Sequence, residues 1–231
     1  MLYWIVLALA VVAISIYTVR RGPEVRVSDV IFKIAASMMF VLIGVVSFIT
    51  NPVDVKYGLL VVFGLCFGVL GDIFIDLKSI YPQHKKIHLN SGFIFFILEH
   101  TVLITAILIG YPMTFTNFLI CLICPAVALV VARLYEGIFK IKFGEFRTIS
   151  YFYTAFLFMT ISVGFMTMTT NGFGLSQILF FVGGVLFFAS DAVLSSMFFK
   201  EGRNIKPLVV ANHLLYYPAQ VLIASSLFFI K

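Results

Sequence analysis

Apolar runs of about 20 residues alternate along the chain with short polar segments that contain charged residues, proline, asparagine or glycine. A run of this length is typical of a helix that crosses a bilayer. The runs lack the alternation of apolar and polar positions that marks the strands of a membrane barrel. The pattern predicts one all-α integral membrane domain over residues 1–231, a bundle of about eight transmembrane helices. The predicted spans are approximately 2–19, 30–49, 57–76, 90–109, 113–134, 147–168, 176–199 and 207–230.

Composition favours the same class of protein. Hydrophobic residues make up 62% of the chain and charged residues 11%, which is far from the average of soluble domains. The first apolar run, Leu2–Val19, has no basic stretch before it, so we expect a retained helix rather than a signal peptide. The net charge is +6, and the basic residues lie between the apolar spans. We therefore expect the lipid bilayer, with its anionic headgroups, as a partner and no nucleic acid.

The basic residues indicate an orientation. All lysines and arginines except Lys56 and Lys231 lie in the first, third, fifth and seventh connections or at the adjoining helix ends. By the positive-inside rule, this side of the membrane is cytoplasmic, and both termini face away from the cytoplasm.

Three aspartates lie within the apolar spans. Asp191 lies inside the run Gln177–Phe199, and Asp72 and Asp76 close the third span. An ionised side chain at this depth is costly unless it is paired or faces water, so it marks a candidate functional site. We expect the two helices to face each other, so that buried carboxylates share one cavity in the cytoplasmic half of the membrane.

Other polar side chains are predicted near the same depth, on helices four, seven and eight. On helix eight, three of them recur every four residues and therefore share one face. Glu99 precedes a histidine in the middle of helix four. The candidate supporting residues are His100, Ser190, Asn212, His213, Tyr216 and Gln220.

Two short segments of the chain resemble each other. LGDIFID, from Leu70 to Asp76, and ASDAVLS, from Ala189 to Ser195, align with acid on acid, and their helices are four spans apart. The match is consistent with two four-helix repeats, although short matches in apolar sequence also arise by chance.

A set of motifs, in their order along the chain, resembles the YhhN-type lysoplasmalogenase family. The resemblance covers essentially the whole chain in length, helix number and motif order. The motifs are FKIAAS at Phe32–Ser37, Gly71-Asp72, a mid-helix His100, SDAVL at Ser190–Leu194 and YYPAQVLI at Tyr216–Ile223.

The resemblance implies hydrolysis of the vinyl-ether bond of a lysoplasmalogen, a single-chain ether phospholipid, without a cofactor. The products are a fatty aldehyde and a glycerophosphoethanolamine or glycerophosphocholine. This reaction needs a carboxylic acid that protonates carbon and a carboxylate that stabilises the cation and activates water, roles that suit Asp72 and Asp191 in either order. Lys33 or Arg147 is expected to hold the phosphate. The compact loops and the resemblance favour a bacterial plasma membrane.

Residues expected to orient water or the ether oxygen are His100, Tyr216 and Gln220.

Two alternative functions use the same group of polar side chains. In one, His100, His213 and an aspartate bind zinc for amide or ester hydrolysis, although no two histidines share a helix turn within a span. In the other, the intramembrane acids and histidines serve a proton-coupled transporter, although no pair of Gly- or Pro-broken helices occupies matching positions.

Overall fold

The computed structural model describes residues 1–52 and 54–230, and the regular structure in these ranges is helical, without strands. Eight helices are long and apolar enough to cross a membrane, which confirms the predicted number of spans. The chain is a multi-pass integral membrane protein. The helices are α1 (Leu2–Arg20), α2 (Val27–Thr50), α3 (Val55–Ile80), α4 (Lys85–Gly110), α5 (Phe115–Phe139), α6 (Arg147–Asn171), α7 (Leu175–Phe199) and α8 (Lys206–Ser226).

Most helices are longer than the spans expected from hydropathy, as α3 illustrates. Its first turn is capped by the side chain of Asp54, which accepts a hydrogen bond of 3.0 Å from the backbone N–H of Tyr57. At the other end the helix continues one turn beyond Asp76, to Ile80. Hydropathy marks only the apolar length, whereas the backbone hydrogen bonds of a helix continue into the polar region.

The odd-numbered connections lie together at one end of the bundle. The Asn204 side chain donates a hydrogen bond of 3.1 Å to the carbonyl of Pro23, and the backbone N–H of Lys142 donates one of 2.9 Å to the carbonyl of Phe199. We call this the basic end; it is formed by residues 21–26, 81–84, 140–146 and 200–205. Its cytoplasmic location stays a prediction from the positive-inside rule.

Helix packing in the first half of the chain, α1–α4, corresponds to packing in the second half, α5–α8. In each half the first helix packs on the second, the second on the third, and the third most extensively on the fourth. Between the halves, α2 packs on α8 and α6 packs on α4. This correspondence supports the four-helix repeat suggested by the sequence.

The close approach of the third and fourth helices of each half depends on glycine. Gly64 on α3 and Gly183 on α7 each lie eight residues before the site aspartate of their helix. A Cβ atom on Gly64 would lie 3.1 Å from the Leu103 side chain, and one on Gly183 would lie 2.9 Å from the carbonyl oxygen of Ala219. Small residues at these positions allow the helix backbones to pack closely.

Candidate active site

A cavity of about 510 Å³ lies between α3, α7 and α8 and extends to the basic end. Asp72 from α3 and Asp191 from α7 both line it. Lys33 from α2 and Tyr216 from α8 are also part of its wall. The fold therefore brings the aspartates of the two halves to one polar cavity.

Asp72 has polar partners on both carboxylate oxygens. Its Oδ1 lies 3.2 Å from Nζ of Lys33, so the two side chains form a buried ion pair. Its Oδ2 accepts hydrogen bonds of 2.6 Å from the Ser37 hydroxyl and 2.9 Å from the Tyr216 hydroxyl. These contacts stabilise a negative charge on Asp72.

Asp76 extends this ion pair into a cluster of two acids and two cations. Its Oδ1 lies 3.5 Å from Nζ of Lys33 and 3.3 Å from the Arg21 guanidinium. Burial lowers the pKa of Arg21, but the Asp76 carboxylate raises it, and the net shift is upward. The Arg21 guanidinium also donates to the carbonyl oxygens of Gly22 and Glu24, at 2.7 and 3.0 Å. The cluster is therefore balanced in formal charge.

Asp191 has different surroundings. Its Oδ2 accepts a hydrogen bond from the Tyr153 hydroxyl of α6. No lysine, arginine or histidine among residues 1–52 and 54–230 forms an ion pair with it. A buried carboxyl group without a cation nearby is costly to ionise.

A second, smaller pocket of about 90 Å³ adjoins Asp191. Its walls come mainly from α4, α5, α6 and α7, with Ile75 of α3 and Phe143 of the loop before α6, and they are mainly apolar. Asp191 and Phe198 line both this pocket and the polar cavity. Asp191 therefore lies where a polar and an apolar space meet.

Tyr216 is held by a second row of polar groups. The Gln220 side-chain amide donates hydrogen bonds of 3.1 Å to the Tyr216 hydroxyl and 2.8 Å to Oε1 of Glu99. Gln220 and Glu99 are both fully buried. This chain of contacts orients the Tyr216 hydroxyl toward Asp72.

Ser190 and Asn212 connect α7 to α8 beside the cavity, which both residues line. The Asn212 side-chain amide donates hydrogen bonds of 2.9 Å to the Ser190 carbonyl and 2.9 Å to its hydroxyl. These bonds hold the turn of α7 that carries Asp191 against α8.

The two intramembrane histidines have different surroundings. His100 is outside the cavity lining, and its Nδ1 lies 3.1 Å from the Thr160 hydroxyl. His213 lines the cavity and packs against the rings of Tyr17 and Tyr217. Among the described residues, no three His, Cys, Asp or Glu side chains are arranged to hold a metal ion. The residues proposed for zinc, His100 and His213, therefore do not meet at one site in the described part of the chain.

The two residues expected to hold phosphate have other partners. Lys33 is buried in ion pairs with Asp72 and Asp76. Arg147 is outside the cavity lining, and its guanidinium lies 3.0 Å from the Glu136 carboxylate on α5. Basic residues near helix ends were expected at the rim, but burial beside two acids draws Lys33 inward, and Glu136 holds Arg147 on an exposed surface.

Three contact residues of the aspartates were not predicted individually: Arg21, Ser37 and Tyr153. Ser37 had a recognisable signal, because it lies four residues after Lys33 and so shares its helix face. The phenol hydroxyl of a tyrosine within a span needs a polar partner, but the sequence does not show which one.

Comparison with known proteins identifies a family. The family model described as the YhhN family matches residues 28–227, which is most of the chain. The match includes the residues of the candidate site except Tyr17, Arg21, Gly22 and Glu24. Neither the curated proteins nor the solved structures contain a match to the chain.

Proposed function

Because the chain belongs to the YhhN family, we propose that it is a lysoplasmalogenase-like hydrolase. Its substrate is a single-chain phospholipid with a vinyl ether, and its products are a fatty aldehyde and a glycerophosphoethanolamine or glycerophosphocholine. One observation carries the proposal: two aspartates with opposite electrostatic surroundings line the same cavity. Acid and base catalysis of one reaction requires such a difference.

The reaction begins when a carboxylic acid transfers its proton to the vinyl carbon that is not bonded to oxygen. The resulting oxocarbenium ion is stabilised by a nearby carboxylate, as in glycosidases. Water adds to the cationic carbon and gives its proton to a carboxylate. The hemiacetal hydroxyl then gives its proton to the carboxylate that first acted as the acid, and the bond to the glycerol oxygen breaks. The glycerol oxygen takes the proton that the other carboxylate accepted from water, so the aldehyde is released and both side chains return to their starting states.

We assign the carboxylate role to Asp72 and the acid role to Asp191. Lys33 and two hydroxyl donors stabilise the charge of Asp72. Asp191 has no cationic partner among the described residues and adjoins an apolar pocket, surroundings that suit a protonated acid. Tyr216 donates a hydrogen bond to Asp72, and we assign it the role of orienting the attacking water.

The shape of the site suits an amphipathic substrate. The polar cavity at the basic end receives the glycerophosphate part, and the apolar pocket beside Asp191 receives the start of the hydrocarbon chain. The vinyl ether joins the glycerophosphate part of the substrate to its hydrocarbon chain. Asp191 likewise lies where the polar cavity meets the apolar pocket.

The test is aldehyde release by purified protein from a lysoplasmalogen and from the corresponding ester-linked lysophospholipid. We expect cleavage of the vinyl ether alone, and a loss of at least about a hundredfold in Asp72→Asn and Asp191→Asn. Glu201→Gln, an exposed acid in the loop before α8, is the matched control and should keep its activity. If folded wild-type protein leaves the vinyl ether intact, or cleaves the ester as readily, the proposal is wrong.

A further inference from the structure

Five cationic side chains line the polar cavity, and they fall into two groups. Lys33 and Arg21 belong to the buried cluster and are paired with acids. The other three, Lys78, Lys85 and Lys142, form no ion pair with any residue in the described parts of the chain. No acid in these parts of the chain therefore forms an ion pair that an anionic ligand would have to displace.

Lys78 is the most confined of the three. It is partly buried near the end of α3, and its Nζ lies 3.0 Å from the ring centroid of Phe198 on α7. The aromatic face offsets part of the cost of removing an ammonium group from water. The ring does not replace an anionic partner, so an anion that enters the cavity would stabilise the charged form of Lys78.

Two further lysines line the same cavity. The backbone N–H of Lys142 donates to the carbonyl of Phe199, the residue after the ring that Lys78 contacts. Lys85 begins α4, one short turn beyond the end of α3. Both lysines are exposed where the cavity reaches the basic end.

The backbone separation of Asp191 and Phe198, whose ring Lys78 contacts, is comparable with the length of a glycerophosphate. Phe198 lies seven residues after Asp191, which is about 10 Å along a helix axis. In an extended lysophospholipid the phosphorus is about 6 Å from the ether oxygen at the first glycerol carbon. A contact of about 3 Å between a phosphate oxygen and an ammonium group covers the remaining distance.

We propose that Lys78, with Lys85 and Lys142, binds the phosphate of a lysophospholipid whose vinyl ether lies beside Asp191. The inference rests on the proposed function for the position of the ether, but the anion site itself does not depend on catalysis. Lys33 is excluded from this role because Asp72 and Asp76 already neutralise it.

Binding is measured first, with a ligand that cannot be hydrolysed. The probe is a saturated alkyl-ether lysophospholipid, and its partner is the alkylglycerol that lacks the phosphate. Each is titrated into wild-type protein, Lys78→Met, Lys78→Arg and Lys206→Met. Lys206→Met is the matched control, because Lys206 is exposed at the same end but does not line the cavity.

We expect Lys78→Met to raise the Kd of the phospholipid about tenfold to a hundredfold and to leave the Kd of the alkylglycerol unchanged. Lys78→Arg and Lys206→Met should bind both lipids as wild type does. Equal weakening of both lipids, or no change in either, would overturn the proposal. Inorganic phosphate is the competitor: if it binds in wild type while the two lipids bind equally well, the site takes free phosphate and not the headgroup.

Activity then separates this inference from the proposed function. With lysoplasmalogen, Lys78→Met should raise KM by a similar factor, and with the phosphate-free alkenylglycerol both kcat and KM should match wild type. If wild-type protein cleaves neither lipid but Lys78→Met still weakens phospholipid binding selectively, the proposed function fails and the phosphate site stands. If wild-type protein cleaves both lipids but Lys78→Met changes neither the Kd of the phospholipid nor the KM of the lysoplasmalogen, the proposed function stands and the phosphate site fails.

Discussion

Asp72 and Asp191 occupy corresponding places in the two halves of the molecule, yet their surroundings differ. Asp72 is held by Lys33 and by the Ser37 and Tyr216 hydroxyls. Asp191 has a single tyrosine hydroxyl as its hydrogen-bond partner among the described residues. The fold repeats, but the electrostatic environment does not. Two equivalent aspartates would favour the same protonation state, whereas two unlike ones suit acid and base roles.

The difference continues one turn further along each helix. In the first half this position is Asp76, paired with Arg21 and Lys33. In the second half it is Ser195, whose hydroxyl donates to the Ala192 carbonyl of its own helix. The first half therefore contains a charged cluster, and the second half contains a neutral turn beside an apolar pocket. A repeated backbone can support two environments because a few side chains decide the charge.

The largest effect on this comparison is expected from Lys33→Met, which removes the cation that pairs with Asp72. Asp72 then loses its only ion-pair partner in the described chain, and Asp76 keeps Arg21 alone. Breaking a buried ion pair from one side costs about 3 to 5 kcal/mol of the free energy of unfolding. Unfolding in mixed detergent micelles measures this loss of stability. Lys56→Met, exposed in the first turn of α3, is the control and should stay within about 0.5 kcal/mol of wild type.

A smaller effect should distinguish the two aspartates from each other. Asp72→Asn leaves Lys33 with only Asp76, and we expect a loss of about 2 kcal/mol in the free energy of unfolding. Asp191→Asn removes no ion pair, and its amide still accepts from Tyr153, so the loss should stay below about 1 kcal/mol. The same micelle unfolding assay applies, alongside the aldehyde assay that should find both variants inactive. Equal losses of stability would show that the two environments do not differ as described.

An effect of similar size concerns the backbone packing that the halves share. Gly183→Ala places a methyl group 2.7 Å from the Ile223 side chain and 2.9 Å from a carbonyl oxygen, whereas at Gly64 the nearest atom is a flexible leucine methyl at 3.1 Å. We expect a loss of about 2 kcal/mol at Gly183 and about 1 kcal/mol at Gly64. Thermal unfolding of the two variants compares them directly, and a larger loss at Gly64 would contradict the packing described here.

Much of the site was visible in the sequence as isolated polar residues within apolar spans. Asp72, Asp191, Tyr216 and Asn212 could be selected because a polar group in hydrocarbon is costly and needs a reason. Their partners were harder to predict. Lys33 was expected at the rim, because the sequence shows its distance from the helix end but not which acids its long side chain reaches.

Helix number, approximate boundaries and the candidate acids were determined by the sequence alone, because hydrocarbon thickness and the cost of buried charge act on each segment independently. Tertiary structure alone decided the pairing of Lys33 with Asp72, the hydrogen bond from Tyr153 to Asp191 and the position of Lys78 against the Phe198 ring. Each depends on which faces of separate helices meet, and helix packing is set by many small contacts that no local pattern records.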